Sequence, residues 1–447
     1  MSKKLLIGFL FGVTLVFSNC SKDDDQNLDL DLQSVLEDAS PNGAMASFML
    51  PLSSDYANIP QDPNNPITTE KVTLGRLLYH ETALGIDPDR MEGLKTYSCA
   101  SCHFASAGFQ AGRFQGIGEG GHGIGNNGQD RLRLDSYNPE ELDVQPIRSP
   151  TTLNVAYQPL MLWNGQFGAG SLNEGTESEW TPGTPIETNN LGYEGVEIQA
   201  IAGLEVHRLG LDDDLLQGMG YATLFDAAFP SHSPEERYTL ETAGLAIAAY
   251  ERTLLANRSP FQRFLQGNST AMTDQEKAGA IVFFGKGGCA SCHNGPALNS
   301  MSFHAIGMSD LDQSAEEVFE TSPDASANLG RGGFTKRVED NYKFKTPTLY
   351  NLIDSPFYGH GASFNNIQDV VEYKNNAVAE NARVPALVLS SEFRPLGLSA
   401  EEIADLTTFL QSGLRDPELL RYEPDFLLSG NCFPNNDTQS QQDLGCE

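Results

Sequence analysis

The sequence is short of positive charge, of tryptophan, of strand-like alternation and of late methionine. Lys and Arg number 28 against 60 Asp and Glu in 447 residues, a formal charge of −32. Such a field repels phosphate backbones, which argues against nucleic acid and anionic lipid as partners. It suits a basic protein partner such as a small electron carrier. Beyond the first 20 residues no apolar run approaches the roughly 20 residues that a spanning helix needs. Alternating apolar and polar residues are rare and brief, which leaves a mainly α-helical fold. The last methionine is Met308, so residues 309–447 offer no thioether.

The N-terminus carries an address. Lys3 and Lys4 precede an apolar stretch, Leu5 to Phe17, too short to span a bilayer. It runs into Phe17-Ser18-Asn19-Cys20 and then an acidic segment. A cysteine directly after a short apolar stretch resembles a bacterial lipoprotein signal, with Cys20 acylated as the new N-terminus. Residues 1–19 are therefore read as a leader and residues 20–54 as a tether and N-terminal extension. The protein is expected in the periplasm or cell envelope, as an outer-membrane lipoprotein. Of seven cysteines, Cys20 is assigned to lipid and four lie in paired motifs. Cys432 and Cys446 remain, and in an oxidising compartment they can close a disulfide in a tail spanning 426–447.

The paired motifs are Cys99-Ala-Ser-Cys102-His103 and Cys289-Ala-Ser-Cys292-His293, at 99 and again 190 residues later at 289. Two thiols of a Cys-x-x-Cys-His unit add to the vinyl groups of heme, and the adjoining imidazole reaches the iron as an axial ligand. Zinc would use the dithiols but leaves a His after each of them unexplained. A redox dithiol would need one motif, not two. Two covalently bound c-type hemes are the reading. Each motif follows a similar helix signal. Thr68-Thr69-Glu70-Lys71 opens a run with Val72, Leu74, Leu77 and Leu78; Thr273-Asp274-Gln275-Glu276-Lys277 opens one with Ala278, Ile281, Val282 and Phe283. Further helices are expected over Leu240–Leu255 and Glu401–Leu410, the latter capped by Ser399. Gly-, Asn- and Pro-rich stretches at 112–130, 164–195 and 318–335 read as long loops. The expected architecture is two cytochrome c-like heme domains, 55–258 and 259–425, with long irregular loops.

Over about residues 60–425 the chain resembles the bacterial diheme cytochrome c peroxidases and the related MauG-like methylamine-utilisation enzymes. The carrying segments are Leu74-Gly75-Arg76-Leu77-Leu78-Tyr79, Arg148-Ser149-Pro150-Thr151-Thr152-Leu153-Asn154 with Leu162-Trp163-Asn164-Gly165, and Ala249-Tyr250-Glu251-Arg252-Thr253-Leu254 with Pro260-Phe261-Gln262-Arg263. Lys345-Thr346-Pro347-Thr348-Leu349-Tyr350-Asn351 and Ser355-Pro356-Phe357-Tyr358 complete the set.

The resemblance implies roles. His103 and His293 hold the irons, and Trp163 stands between the hemes as an electron relay. Tyr373 falls on the distal axial position of the second heme, where peroxidases carry Met and the methylamine-utilisation enzyme Tyr; Lys374 beside it is a weaker candidate. His122, in Gly120-Gly121-His122-Gly123, sits in a Gly-rich loop that can swing as a distal ligand of the first heme. Gln199 matches the family's Gln, but the acid–base Glu expected ten residues later is Leu209. Glu205 or His207 must then move the proton, and His207 is the better titrating group. An inter-heme calcium is uncertain, because Arg148 stands at the Asn that helps bind it; Asp354 is a substitute ligand. The implied activity is reduction of hydrogen peroxide with electrons from a small carrier such as cytochrome c, with a homodimer as one assembly. The alternatives are a MauG-like oxidase of a protein or organic substrate working through high-valent diheme iron, and a non-enzymatic electron-transfer cytochrome.

Overall fold

The computed structural model describes residues 21–446, so the leader and Cys20 lie outside the described residues. Its principal helices are α1 (Ser21–Ala39), α2 (Thr69–His80), α3 (Gly195–Val206), α4 (Tyr221–Ala228), α5 (Leu240–Arg252), α6 (Asp274–Phe284), α7 (Ile367–Asn376) and α8 (Ala400–Thr408). Among the described residues, strands occur only as two short antiparallel pairs. β1 (Gly121–His122) pairs with β2 (Leu132–Arg133), and β3 (Phe303–His304) with β4 (Phe344–Lys345). No helix among the described residues is long and apolar enough to cross a membrane.

The helix starts follow the capping chemistry. Thr68 accepts from the Lys71 amide at 3.2 Å. Thr273 and Glu276 bond reciprocally at 3.2 and 2.8 Å, and Ser399 and Glu402 at 3.2 and 2.7 Å. Each cap contributes about 1 kcal/mol. Helix ends are shorter than the apolar pattern predicts. α5 stops at Arg252, where the Thr253 and Leu254 amides tighten onto the Tyr250 and Glu251 carbonyls at 2.9 and 3.0 Å; beyond it the Leu254 carbonyl accepts from the Asn154 amide at 2.7 Å. α8 passes into a wider turn at Phe409–Gly413.

Two helix pairs repeat. α2 packs on α5, with α3 on the same helix; α6 packs on α8, with α7 beside it. In both crossings a glycine lets two backbones meet. A Cβ at Gly75 would lie 1.9 Å from the Ala246 carbonyl oxygen, and one at Gly279 would lie 2.0 Å from that of Asp405. The duplication seen in the motifs thus extends to how each entry helix is seated. One apolar core runs through both groups.

The chain ends cross over. The extension expected to be a tether is helical and part of the core: Leu32 and Leu36 are fully buried, and Lys277 on α6 pairs with Asp29 at 2.7 Å. The acidic composition hid this, because only Leu32, Val35 and Leu36 mark the apolar side. The tail behaves in the opposite sense and returns to the first motif. Cys432 and Cys446 form the expected disulfide. Ser98 and Ser101 hydroxyls donate to the Pro434 carbonyl at 3.0 and 3.3 Å, and the Asn436 amide donates to the Thr96 carbonyl at 2.9 Å.

Candidate functional site

At the first motif, Cys99–Ser101 form a tight turn held by the Ser101 hydroxyl accepting from the Ser98 amide at 3.0 Å. Cys99 and Cys102 are unpaired thiols, pushed up to about 12 by burial. His103 Nδ1 lies 3.3 Å from the Phe109 carbonyl and so carries the proton there. Burial pulls its pKa down to about 4, which keeps the imidazole neutral with Nε2 free as a ligand. The Tyr79 hydroxyl fixes the His103 carbonyl at 2.7 Å.

Beside this motif lies His207, one residue past α3. Its Nδ1 is 2.8 and 3.0 Å from the two oxygens of Asp143, a carboxylate buried in the loop before Arg148. Burial disfavours the imidazolium, but the charge and hydrogen bond of Asp143 outweigh it and leave the pKa raised. His207 is near enough for its charge to act on His103, and the Asp143 charge acts on both thiols. Gln199, Gly203 and His207 follow at four-residue steps on one face. A Cβ at Gly203 would sit 3.8 Å from Gln199 Nε2 and 3.9 Å from His207 Cδ2. Gln199 Oε1 is buried without a hydrogen-bond partner.

Two expected placements change here. Glu205 is exposed, since two helical steps turn it about 200° away from His207. It takes no part in this site. His122 lies in β1, opposite Leu132, and no hydrogen bond or ring contact joins it to His103 among the described residues. Its loop is clamped, not free to swing. Arg131 donates to the Ile117 and Gly118 carbonyls at 2.5 and 2.6 Å. Asp437 accepts from the Gly123 amide at 2.9 Å, and Asp443 from Ile124 and Gly125 at 2.8 and 2.9 Å. The disulfide-closed tail therefore holds the glycine loop in place.

The second motif repeats the first. Cys289 and Cys292 are unpaired, and His293 Nδ1 lies 3.1 Å from the Pro347 and 3.2 Å from the Leu298 carbonyl. Burial brings its pKa to about 4. A cavity of about 320 Å³ opens here, lined by Cys289, Cys292, His293, Trp163, Met308 and Lys374 among others. The Trp163 indole donates to the Arg148 carbonyl at 2.8 Å. Two residues on, the Pro150 carbonyl bonds His103. One short stretch of backbone therefore connects the wall of the second cavity with the first motif.

Tyr373 is not in that wall. Its hydroxyl donates to the Ile306 carbonyl at 2.5 Å, and its ring packs on Phe364 and Phe393 with centroids 5.1 and 5.2 Å away. Lys374 lines the cavity instead, and burial brings its amine down to about 8. The signal was in the period of α7, since Val370, Val371 and Lys374 share a face that Tyr373 leaves.

Asp354 is also engaged elsewhere. It accepts from Asn351 Nδ2 and Arg415 Nε, both at 2.8 Å. Among the described residues no group of three or more His, Cys, Asp or Glu could hold a metal ion. The buried Arg148 guanidinium sits between the units, donating to Gln110 at 2.6 Å and Ser355 at 2.7 Å.

Four unpaired thiols in two turns and two neutral imidazoles anchored through Nδ1 fit covalently bound heme at both motifs, and at the second a walled cavity adds to the fit. Residues 69–270 match the family model described as di-haem cytochrome c peroxidase. The chain is 29% identical over 362 residues to the methylamine utilization protein MauG of Methylorubrum extorquens, covering 80% of this chain and 82% of that protein. It is 26% identical over 316 residues to the cytochrome c551 peroxidase of Pseudomonas aeruginosa, covering 70% and 73%. A crystal structure of a MauG-like protein associated with microbial copper homeostasis shares the fold, with a TM-score of 0.54, 23% identity and coverage of 83% and 96%.

Proposed function

Because the chain belongs to the diheme cytochrome c peroxidase and MauG family of oxidoreductases, we propose that it reduces hydrogen peroxide with electrons from a small carrier such as cytochrome c. The observation that supports this reading is the His207–Asp143 pair beside the first motif. Hemes held by Cys99, Cys102 and His103 and by Cys289, Cys292 and His293 would supply the iron redox chemistry that reduces peroxide. His207 takes a proton from one peroxide oxygen at Nε2 and returns it to the other as the bond breaks. Asp143 holds Nδ1–H, which fixes the tautomer and steadies the imidazolium while the proton is in transit. Gln199 Oε1 offers an acceptor on the same helical face. Trp163 carries charge between the two sites. Overall, peroxide, two electrons and two protons give two waters.

Tyr373 was the residue that favoured oxidation of a protein or organic substrate, and its hydroxyl is spent on the Ile306 carbonyl behind the cavity wall, which weakens that argument. In this reading the protein works in the periplasm, where the Cys432–Cys446 disulfide persists, with Cys20 as its lipid anchor. Its acidic surface receives a basic donor. The test is to mix the holoprotein, resting and pre-reduced, with peroxide and reduced cytochrome c. Peroxide-dependent oxidation of the donor is expected; its absence from both forms refutes the proposal.

The proton-transfer role sets the pH dependence. His207 must be neutral to accept a proton, so kcat/KM falls as pH drops through its pKa. The Asp143 carboxylate holds that pKa above the ordinary imidazole value, so the acid limb lies on the high side of the ordinary imidazole range. Asp143→Asn removes the raising charge, and the limb is expected to move to lower pH. A limb that stays in place would show that another group titrates.

A further inference from the structure

We propose that the ε-amine of Lys374 is the distal axial ligand of the heme held by Cys289, Cys292 and His293, giving that iron an imidazole–amine pair. The inference holds whichever substrate the protein oxidises, since it concerns only how the second heme is bound.

The argument starts with α7. Asn366 caps the helix by accepting from the Gln368 amide at 2.8 Å, and Ile367, Val370, Val371 and Lys374 then fall on one face. Val370, Val371 and Lys374 all line the cavity of the second motif. Two apolar residues and one cation therefore form a single wall, and the cation is near enough to act on both thiols and on His293.

The other lysine, histidine and tyrosine side chains of that wall are engaged elsewhere. Lys345 donates to the Leu160 carbonyl at 2.7 Å and to Gln158. His360 Nε2 lies 3.0 Å from Asp310, and its ring stacks on Phe344 at 3.6 Å between centroids. His304 Nε2 is 2.9 Å from the Ser302 hydroxyl, and the Tyr358 hydroxyl donates to Leu352 at 3.0 Å. The Met308 sulfur is packed on Gly359. Lys374 differs. Among the described residues it has no hydrogen bond and no ion pair, and the Phe393 ring at 5.7 Å is its aromatic neighbour.

A cation held in such a wall with no carboxylate or carbonyl bonded to it is costly to bury; the Glu392 carboxylate in the same wall faces His304 at 3.7 Å. A neutral amine bound to iron is not. An amine is a nitrogen donor without the thioether's preference for ferrous iron, so the second heme is expected at a lower potential than a His/Met heme.

The test is electron paramagnetic resonance and near-infrared magnetic circular dichroism of the ferric holoprotein, with heme content checked by pyridine hemochrome. The wild-type protein is expected to show one low-spin heme with imidazole–amine ligation. Lys374→Ala loses that low-spin signal and leaves the other heme unchanged. Lys374→Met, of similar length, restores it with a thioether-to-iron charge-transfer band and a higher potential. Tyr373→Phe leaves the spectra as they are. A phenolate-to-iron band in the wild type, or Lys374→Ala spectra identical to wild type, would overturn the proposal. Should the alanine variant fail to fold, the wild-type and methionine spectra still decide the question.

Discussion

Replacing His207 by alanine lowers peroxide-dependent turnover by about 10²–10⁴-fold, the range that a positioned acid–base group supplies. The loss falls on kcat, because the imidazole acts on the proton in transit and not on the docking of the electron donor. Both hemes remain attached, since neither motif depends on His207. The donor concentration for half-maximal rate stays near the wild-type value. Glu205→Gln serves as the contrast and is expected to be silent, because that carboxylate is exposed on the far side of α3. A His207→Ala protein with wild-type kcat would remove the pair of His207 and Asp143 from the chemistry. Equal losses at Glu205 and His207 would indicate a disturbed helix end instead.

The second large effect is on the fold that sets the two sites. Gly75→Ala and Gly279→Ala each put a Cβ within 2.0 Å of a facing carbonyl oxygen, at Ala246 and Asp405. A backbone oxygen cannot rotate aside as a side chain can, so the two helices must separate. Overpacking of this kind costs about 3 kcal/mol or more. That is expected to lower Tm by several degrees. Gly170→Ala, where nothing lies within 4 Å, is the control and shifts Tm little. Scanning calorimetry of the three holoproteins checks the ranking. A Gly75→Ala protein as stable as Gly170→Ala would mean that α2 and α5 do not meet at Ala246.

What could be read beforehand divides by distance along the chain. Local chemistry was legible: the caps at Thr68, Thr273 and Ser399, both Cys-x-x-Cys-His turns, and the Cys432–Cys446 bridge. Long-range partners were not. Asp143 reaches His207 from 64 residues upstream in a loop with no periodicity to mark it. Asp437 and Asp443 clamp the glycine loop from over 300 residues away. Helix α1 was hidden because its acidic side dominates the composition, although Leu32 and Leu36 already carry the spacing of a buried face. At α7 the resemblance placed Tyr373 at the second heme, whereas the helix face running through Val370 and Val371 brings Lys374 to the cavity wall. The period of the helix was the better guide, because which side chains face a cavity depends on turn angle and not on distance from a loop.

The two motifs are identical in sequence, and their surroundings make them unequal. The first has a buried carboxylate, a raised imidazole and an unpartnered amide oxygen. The second has a walled cavity with tryptophan on one side and an unpaired lysine on another. The most direct test of that division is stoichiometric: a known amount of hydrogen peroxide is added to the holoprotein with excess reduced cytochrome c, and the oxidised donor is counted. The account predicts two cytochromes oxidised per peroxide, with the yield maintained but the rate greatly reduced in His207→Ala. Peroxide consumed with no oxidised donor, in wild type as in the variant, would contradict it.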